Sequence, residues 1–379
     1  MRGFFNSFIL ENILDKQNHT RIFGLDVLRV FAIVFVVSAH GRFLAWGTSL
    51  YEFPYFIFID GVDLFFALSG FLIGGILLTD INSTNSFKSS QLLQFWKRRW
   101  LRTLPNYYLV LLVNLLIVKF VLAITTDFGF SWKYFFFLQN FSSPPLGFFP
   151  ESWSLSVEEW FYLFTPLVLF VAMKLMQPKK AFLTTVLILI FTPILIRYIN
   201  LRPSTDWYEI DQHVRKVAVT RLDAIGYGLL GAWLSYYYAG FWRKCRFWFL
   251  AIGFGMHFLM DELNSSTSAI YLQVVAFSLS SIAAMCFLPV AYSIKSVKGM
   301  IPKAVTYISK ISYSMYLVNL GVVAAIMYKY LPAKNTTDGI FKYFLYWFLV
   351  IALSGIIYRF FEKPIMNLRD RKRDVPKKQ

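Results

Sequence analysis

The sequence predicts an all-α integral membrane protein of about ten transmembrane helices, with both termini on the inner side (N-in/C-in). Three observations predict it. Hydrophobic residues make up 57% of the 379-residue chain against 16% charged, with mean hydropathy +0.53, far too apolar for a soluble domain of this size. Ten segments approach the roughly 20 mostly apolar residues that a bilayer crossing needs: 25–46, 55–79, 104–124, 158–176, 181–200, 217–239, 246–260, 269–291, 311–331 and 339–361. Lys and Arg fall in alternate connections, 26 on the side of the N-terminus and 8 on the other, the asymmetry that marks a cytoplasmic face.

In chain order, residues 1–24 form an inner segment without the compact apolar core and small-residue cleavage site of a signal peptide. Phe4, Phe5, Phe8, Ile9, Ile13 and Leu14 recur at helical spacing, which fits either a helix lying on the membrane or a frayed terminus. Residues 25–361 form one membrane domain, with a short seventh span and no internal repeat, and residues 362–379 form a basic inner tail. The net charge of +17 is thus largely a topology signal. Its short clusters between apolar runs argue against nucleic acid and for lipid headgroups as partners. Two cysteines, Cys245 and Cys286, and four histidines without HxxxH or HExxH spacing give no disulfide framework and no metal site.

The chemistry lies in polar residues inside the spans. In LDVLRVFAIVFVVSAH (25–40), Asp26, Arg29 and His40 share one helical face. Arg29 and His40 are three turns apart, about 16 Å along the axis, with Arg29 toward the inner boundary and His40 toward the outer. Singly, Arg29 fits snorkelling to headgroups and His40 a hydrogen bond to a neighbouring helix; aligned, they point to a cavity or site. Asp63 and Ser69 occur in GVDLFFALSGFL (61–72), Arg221 and Asp223 in RLDAIGYGLLGAW (221–233), and Glu158 and Glu159 in WSLSVEEWFYLFTP (153–166).

Glu158, at the outer start of the fourth span, and Asp63 are candidate carboxylate partners for His40. Such a pair suits a general base that deprotonates a hydroxyl attacking a thioester. Arg98, Arg99 and Arg102, in WKRRWLRTLPNYY (96–108), stand at the inner start of the third span. They suit either phosphate recognition or ordinary positive-inside charge. The aromatic external segment 130–153, closing on Trp153, fits either an element over an acceptor site or an aromatic belt.

These motifs, with SYSMYLVN (312–319) and YRFFEKPIMNL (358–368), occur in the order found in acyltransferase family 3. The chain resembles that family from Arg21 to Leu368. Its members are membrane-bound bacterial O-acyltransferases that modify lipopolysaccharide O-antigen, exopolysaccharides, nodulation factors and some antibiotics. The resemblance implies a multi-pass protein of the bacterial inner (plasma) membrane. It would move an acyl group, acetyl above all, from acetyl-CoA or another acyl-CoA to a glycan hydroxyl on the outer side, without a metal.

Residue by residue, the resemblance implies His40 as the essential histidine and Arg29 as the arginine of the same helix. Arg99 and Arg102 match the pair serving the acyl-CoA site, Ser69 the SGF serine and Glu158 the WSLSxExxFY glutamate. Trp153, Arg221 and Asp223 are candidate acceptor-binding residues, and Glu362 and Pro364 match the closing motif. Asn319 departs from the family, which often has histidine there, and this puts a role for that position in doubt. The chain ends soon after its last span, so the expected form lacks an SGNH hydrolase-like extension. Direct attack by the hydroxyl and a transient acyl-enzyme both remain open. The competing reading, a glycan transporter or flippase, would show two related halves; a membrane glycan polymerase is a third.

Overall fold

The computed structural model describes residues 21–49, 51, 60–121, 130–263 and 268–371. The expected surface helix within residues 4–14, the first part of the second span and the end of the basic tail lie outside them. Among the described residues the protein is all-α, with ten helices of ten residues or more. These are α1 (Phe23–Gly41), α2 (Gly61–Thr84), α3 (Ser89–Leu116), α4 (Ser152–Leu175), α5 (Pro178–Ile199), α6 (Leu222–Tyr237), α7 (Arg246–Leu263), α8 (Ala276–Cys286), α9 (Met300–Val318) and α10 (Thr336–Ile357).

Each coincides with one expected segment. Counting their helical continuations, eight are long and apolar enough to cross a membrane by length and composition. The exceptions are α7, whose apolar part is Arg246–Met260, and α6, whose 16 residues rise only about 24 Å. Several spans end in π-helical turns, notably Asn319–Ala324 after α9 and Tyr358–Glu362 after α10.

The ninth span starts at Met300 rather than 311, and two further boundaries that differ from the expectation move expected site residues. The third span does not start at 104. The Gln91 side chain accepts the Lys88 backbone N–H at 2.7 Å, and a helix from Ser89 absorbs the basic connection. Arg99 and Arg102, three residues apart, therefore share a helical face. The fourth span starts at Ser152 rather than 158, which carries Glu158 about 9 Å down the helix from its start.

Close approach of α2 and α6 fixes the centre of the bundle. A Cβ on Gly70 would lie 2.0 Å from the Ile225 carbonyl oxygen, and one on Gly228 would lie 2.3 Å from that of Ala67. Small residues let helix backbones meet where lipid supplies no hydrophobic drive. Around this pair α1 packs on α2 and α9, and α4, α5 and α8 close the sides. The start of α1 is tied down as Phe23 and Gly24 N–H groups donate to the Lys295 and Ile294 carbonyls, each at 3.0 Å.

The aromatic segment 130–151 is a folded element packed on α3 and α4. Tyr107 donates its hydroxyl to the Tyr134 carbonyl at 2.9 Å, and Ser156 and Trp160 donate to the Phe137 carbonyl at 2.7 and 2.9 Å.

Gly70→Ala should therefore push α2 from α6. Overpacking of this kind costs roughly 1–3 kcal/mol or more, read as a lower thermal midpoint and a lower monodisperse yield in detergent. Gly75→Ala, whose Cβ meets nothing within 4 Å, is the matched control and should behave as wild type.

Candidate active site

α1 sets out the site from one end to the other. At its start Asp26 accepts hydrogen bonds from Arg21 and from the Ser309 hydroxyl (2.8 Å), and Arg29 lies 3.6 Å from Asp26 and donates to Ser309 at 3.3 Å. Asp26 is thus the anchor of this end of the site, joining Arg21, Arg29 and α9.

Above it opens a cavity of about 110 Å³. Arg29, Arg99, Arg102 and Lys310 line it with Ser69, Glu158, Tyr162, Glu362, Phe65 and Tyr316. Five expected site residues therefore meet there: Arg29, Ser69, Arg99, Arg102 and Glu158.

The cavity carries a surplus of positive charge. Ser69 and Tyr162 donate their hydroxyls to Glu158. Glu362 accepts from Ser314 and Asn106 at 2.8 and 3.2 Å. Arg99 lies over the Tyr162 ring at 5.5 Å, and Arg102 makes no hydrogen bond or ion pair with the described residues. Four cations, three of them arginines, stand against two carboxylates, a surplus that fits an anionic phosphate group.

His40 lies at the other end of α1, half-buried, with its Nδ1 2.5 Å from the Asn319 Oδ1. It is not part of the cavity wall, but the cavity's upper end is close. Tyr316 lines the cavity and precedes Asn319 by one helical turn, about 4.5 Å. The Tyr316 hydroxyl donates to the Glu151 carbonyl at 3.1 Å and lies 2.5 Å from the Ser154 hydroxyl.

The carboxylate partners expected for His40 are engaged elsewhere. Glu158 is held by Ser69 and Tyr162 because α4 starts six residues early and takes it down into the cavity. Asp63 is ion-paired to Arg221 and accepts from Ser280 at 2.5 Å. Asp223 is paired with Arg197 at 2.7 Å, both side chains fully buried, and takes a hydrogen bond from Ser278. Arg221 and Asp223 thus bind α2, α5, α6 and α8 together. Trp153 is buried as well, with the Arg215 guanidinium 4.9 Å over its ring and Phe66 at its edge.

Three residues near His40 were not singled out by the sequence. Asp60, at the N-cap of α2, accepts from Val62 N–H and pairs with Arg215 at 2.5 Å. Burial raises the Asp60 carboxyl, but Arg215 and the Val62 N–H outweigh it and leave the group below its ordinary range. Asp60 directly precedes GVDLFFALSGFL, and the N-cap pattern was the available signal. Glu151 accepts from Gly321 N–H at 2.9 Å, which braces the π-helical turn beginning at Asn319, while its Oε2 is buried without a partner.

Burial pushes the Glu151 carboxyl up to about 7, opposed by backbone N–H groups including that of Gly321. A carboxyl raised on folding binds its proton more tightly when folded, so its contribution to stability is lost as pH rises toward that value. Glu151→Gln should therefore melt higher than wild type at roughly pH 8.5 and no higher at roughly pH 5, measured as paired thermal melts in one detergent.

The family model described as an acyltransferase domain matches residues 22–359. The O-acetyltransferase OatA of Staphylococcus aureus (strain NCTC 8325 / PS 47) is 27% identical over 375 residues, 90% of this chain and 57% of that protein. The peptidoglycan O-acetyltransferase OatA of Listeria monocytogenes serovar 1/2a is 34% identical over 180 residues, 43% of this chain and 26% of that protein. The matched regions thus span about half of these relatives or less. No solved structure matches the chain.

Proposed function

Because the chain belongs to the acyltransferase 3 family, we propose that it transfers an acetyl group from acetyl-CoA to a sugar hydroxyl of a cell-surface glycan. His40 is the general base in this reading, and the arginine-lined cavity is the donor site. The observation that carries it is the line from Arg29, Arg99 and Arg102 up the cavity to Tyr316, one turn short of the residue that holds His40. Relatives named as O-acetyltransferases, one of them of peptidoglycan, support the acyl group and the glycan class.

The basic residues orient the bundle with Arg99 and Arg102 toward the cytoplasm, where the donor is made. The CoA phosphates are held there by paired N–H donors of arginine. The thioester reaches upward past Phe65 and Tyr316. At the outer end the acceptor hydroxyl oxygen attacks the thioester carbonyl while His40 takes the hydroxyl proton. The C–S bond breaks, an ester forms, and the thiolate of CoA leaves and receives the proton from the imidazolium. Asp60 and Arg215 flank that end, on the side from which a lipid-linked or exported glycan arrives. In this reading the protein works in the plasma membrane with the acceptor outside.

A positioned general base is typically worth ~10²–10⁴-fold, so His40→Ala should lower acetyl transfer by that factor while the protein stays folded. Purified protein in nanodiscs with labelled acetyl-CoA and a glycan acceptor provides the measurement. In the same assay Arg99→Ala/Arg102→Ala should raise KM for acetyl-CoA at least tenfold. Donor use insensitive to that double change removes the arginine cavity as the donor site, and wild-type transfer by His40→Ala removes the base.

A further inference from the structure

Asn319 is fully buried, and its side-chain nitrogen donates to two backbone carbonyls of its own helix, Met315 at 2.9 Å and Tyr316 at 2.7 Å. An amide nitrogen has two protons, and both are used there. That fixes which end of the amide faces His40. Oδ1 is the atom 2.5 Å from Nδ1 of the imidazole, and a carbonyl oxygen only accepts. Nδ1 must therefore carry a proton. A neutral imidazole has one N–H, so the lone pair is on Nε2, which has no hydrogen-bond partner among the described residues.

From this geometry we infer that Asn319 is a positioning residue that holds neutral His40 as the Nδ1–H tautomer and presents Nε2 as the base toward the acceptor hydroxyl. The inference rests on the reading of His40 as the base and adds which nitrogen acts and what selects it.

The charged groups facing His40 from neighbouring elements are Asp60 before α2, and Arg215 and Lys216 in the connection before α6. None is hydrogen-bonded to the ring. Arg215 is taken by Asp60 and Asp211, and Lys216 by Asp211 at 2.5 Å. An amide partner orients the ring without a full negative charge. A carboxylate in its place would also orient the ring but would favour the imidazolium.

The test uses full-length protein in nanodiscs with ¹⁵N-labelled histidine, the His40 signals being identified by their loss in His40→Gln. Wild type should show the Nδ1–H tautomer, and Asn319→Leu, which removes the acceptor, should lose that preference. In the transfer assay Asn319→Leu should lower kcat at least tenfold with KM for acetyl-CoA within twofold. Asn319→Asp keeps an acceptor, so it should retain most of the kcat, with the acid limb of its pH profile moved about one unit higher.

An Nε2–H ring in wild type overturns the inference, as does wild-type kcat in Asn319→Leu. So does Asn319→Asp, correctly folded, failing as completely as the leucine variant. If Asn319→Leu does not fold, the wild-type spectrum and the aspartate profile still decide. The tautomer is read without turnover, so failure of the base itself, seen as an active His40→Ala, remains a separate outcome.

Discussion

A polar group inside a bilayer has no water to turn to, and every charge on α1 is accordingly answered by another helix. Asp26 and Arg29 meet Ser309 midway along α9, and His40 meets Asn319 just past its C-terminal end. The stretch from Ser309 to Asn319 thus runs beside the stretch from Arg29 to His40, stitched at both limits. This pairing sets the depth of Arg29 and His40 together. A shift of α1 by one residue would unpair both ends at once, so register here is a consequence of polar satisfaction rather than of apolar packing.

The same rule sorts the remaining buried charges into frame and site. Asp63 with Arg221, and Asp223 with Arg197, are closed pairs whose charges cancel and whose hydroxyl neighbours, Ser280 and Ser278, fill further lone pairs. Removing one partner of such a pair leaves an uncompensated buried charge, which typically costs about 3–5 kcal/mol. The arginine cavity differs in kind. Its cations outnumber its carboxylates and it opens to solvent, an arrangement suited to bringing in negative charge from outside.

Much of this was legible in the residues, and the parts that were not share a cause. Hydropathy found a segment for each of the ten helices, and eight of them have the length and apolarity that a bilayer imposes. Helical periodicity put Arg29 and His40 on one face because that is a property of a single helix. Neither signal says which helix stands opposite. Glu158 reads as an outer-side partner of His40 only if α4 starts at 158. The helix instead starts in the polar stretch at Ser152, where hydropathy is silent, and about 9 Å of descent changes its neighbours. Asp63 looks available from sequence because nothing local announces Arg221, 158 positions away. Asn319 reads as a loss when measured against a family histidine. Its amide is nevertheless able to do what a ring partner does for His40, which is to accept from Nδ1.

Tyr316 is where the proposed donor site and the proposed base come together. Its ring closes the upper end of the cavity against Phe65, with centroids 6.1 Å apart, and its hydroxyl is tied to Ser154 and to the Glu151 backbone. Its carbonyl is one of the two groups that orient the Asn319 amide. Glu151 in turn braces the turn at Gly321, two residues beyond Asn319. The upper wall of the cavity and the amide that faces the imidazole are therefore parts of one hydrogen-bonded unit. A displacement of the Tyr316 backbone large enough to be felt at the cavity end must also disturb the acceptor of the His40 proton. Rigid attachment of His40 to the end of the cavity suits the proposed reaction, in which two substrates arrive from opposite faces of the membrane and meet at one atom.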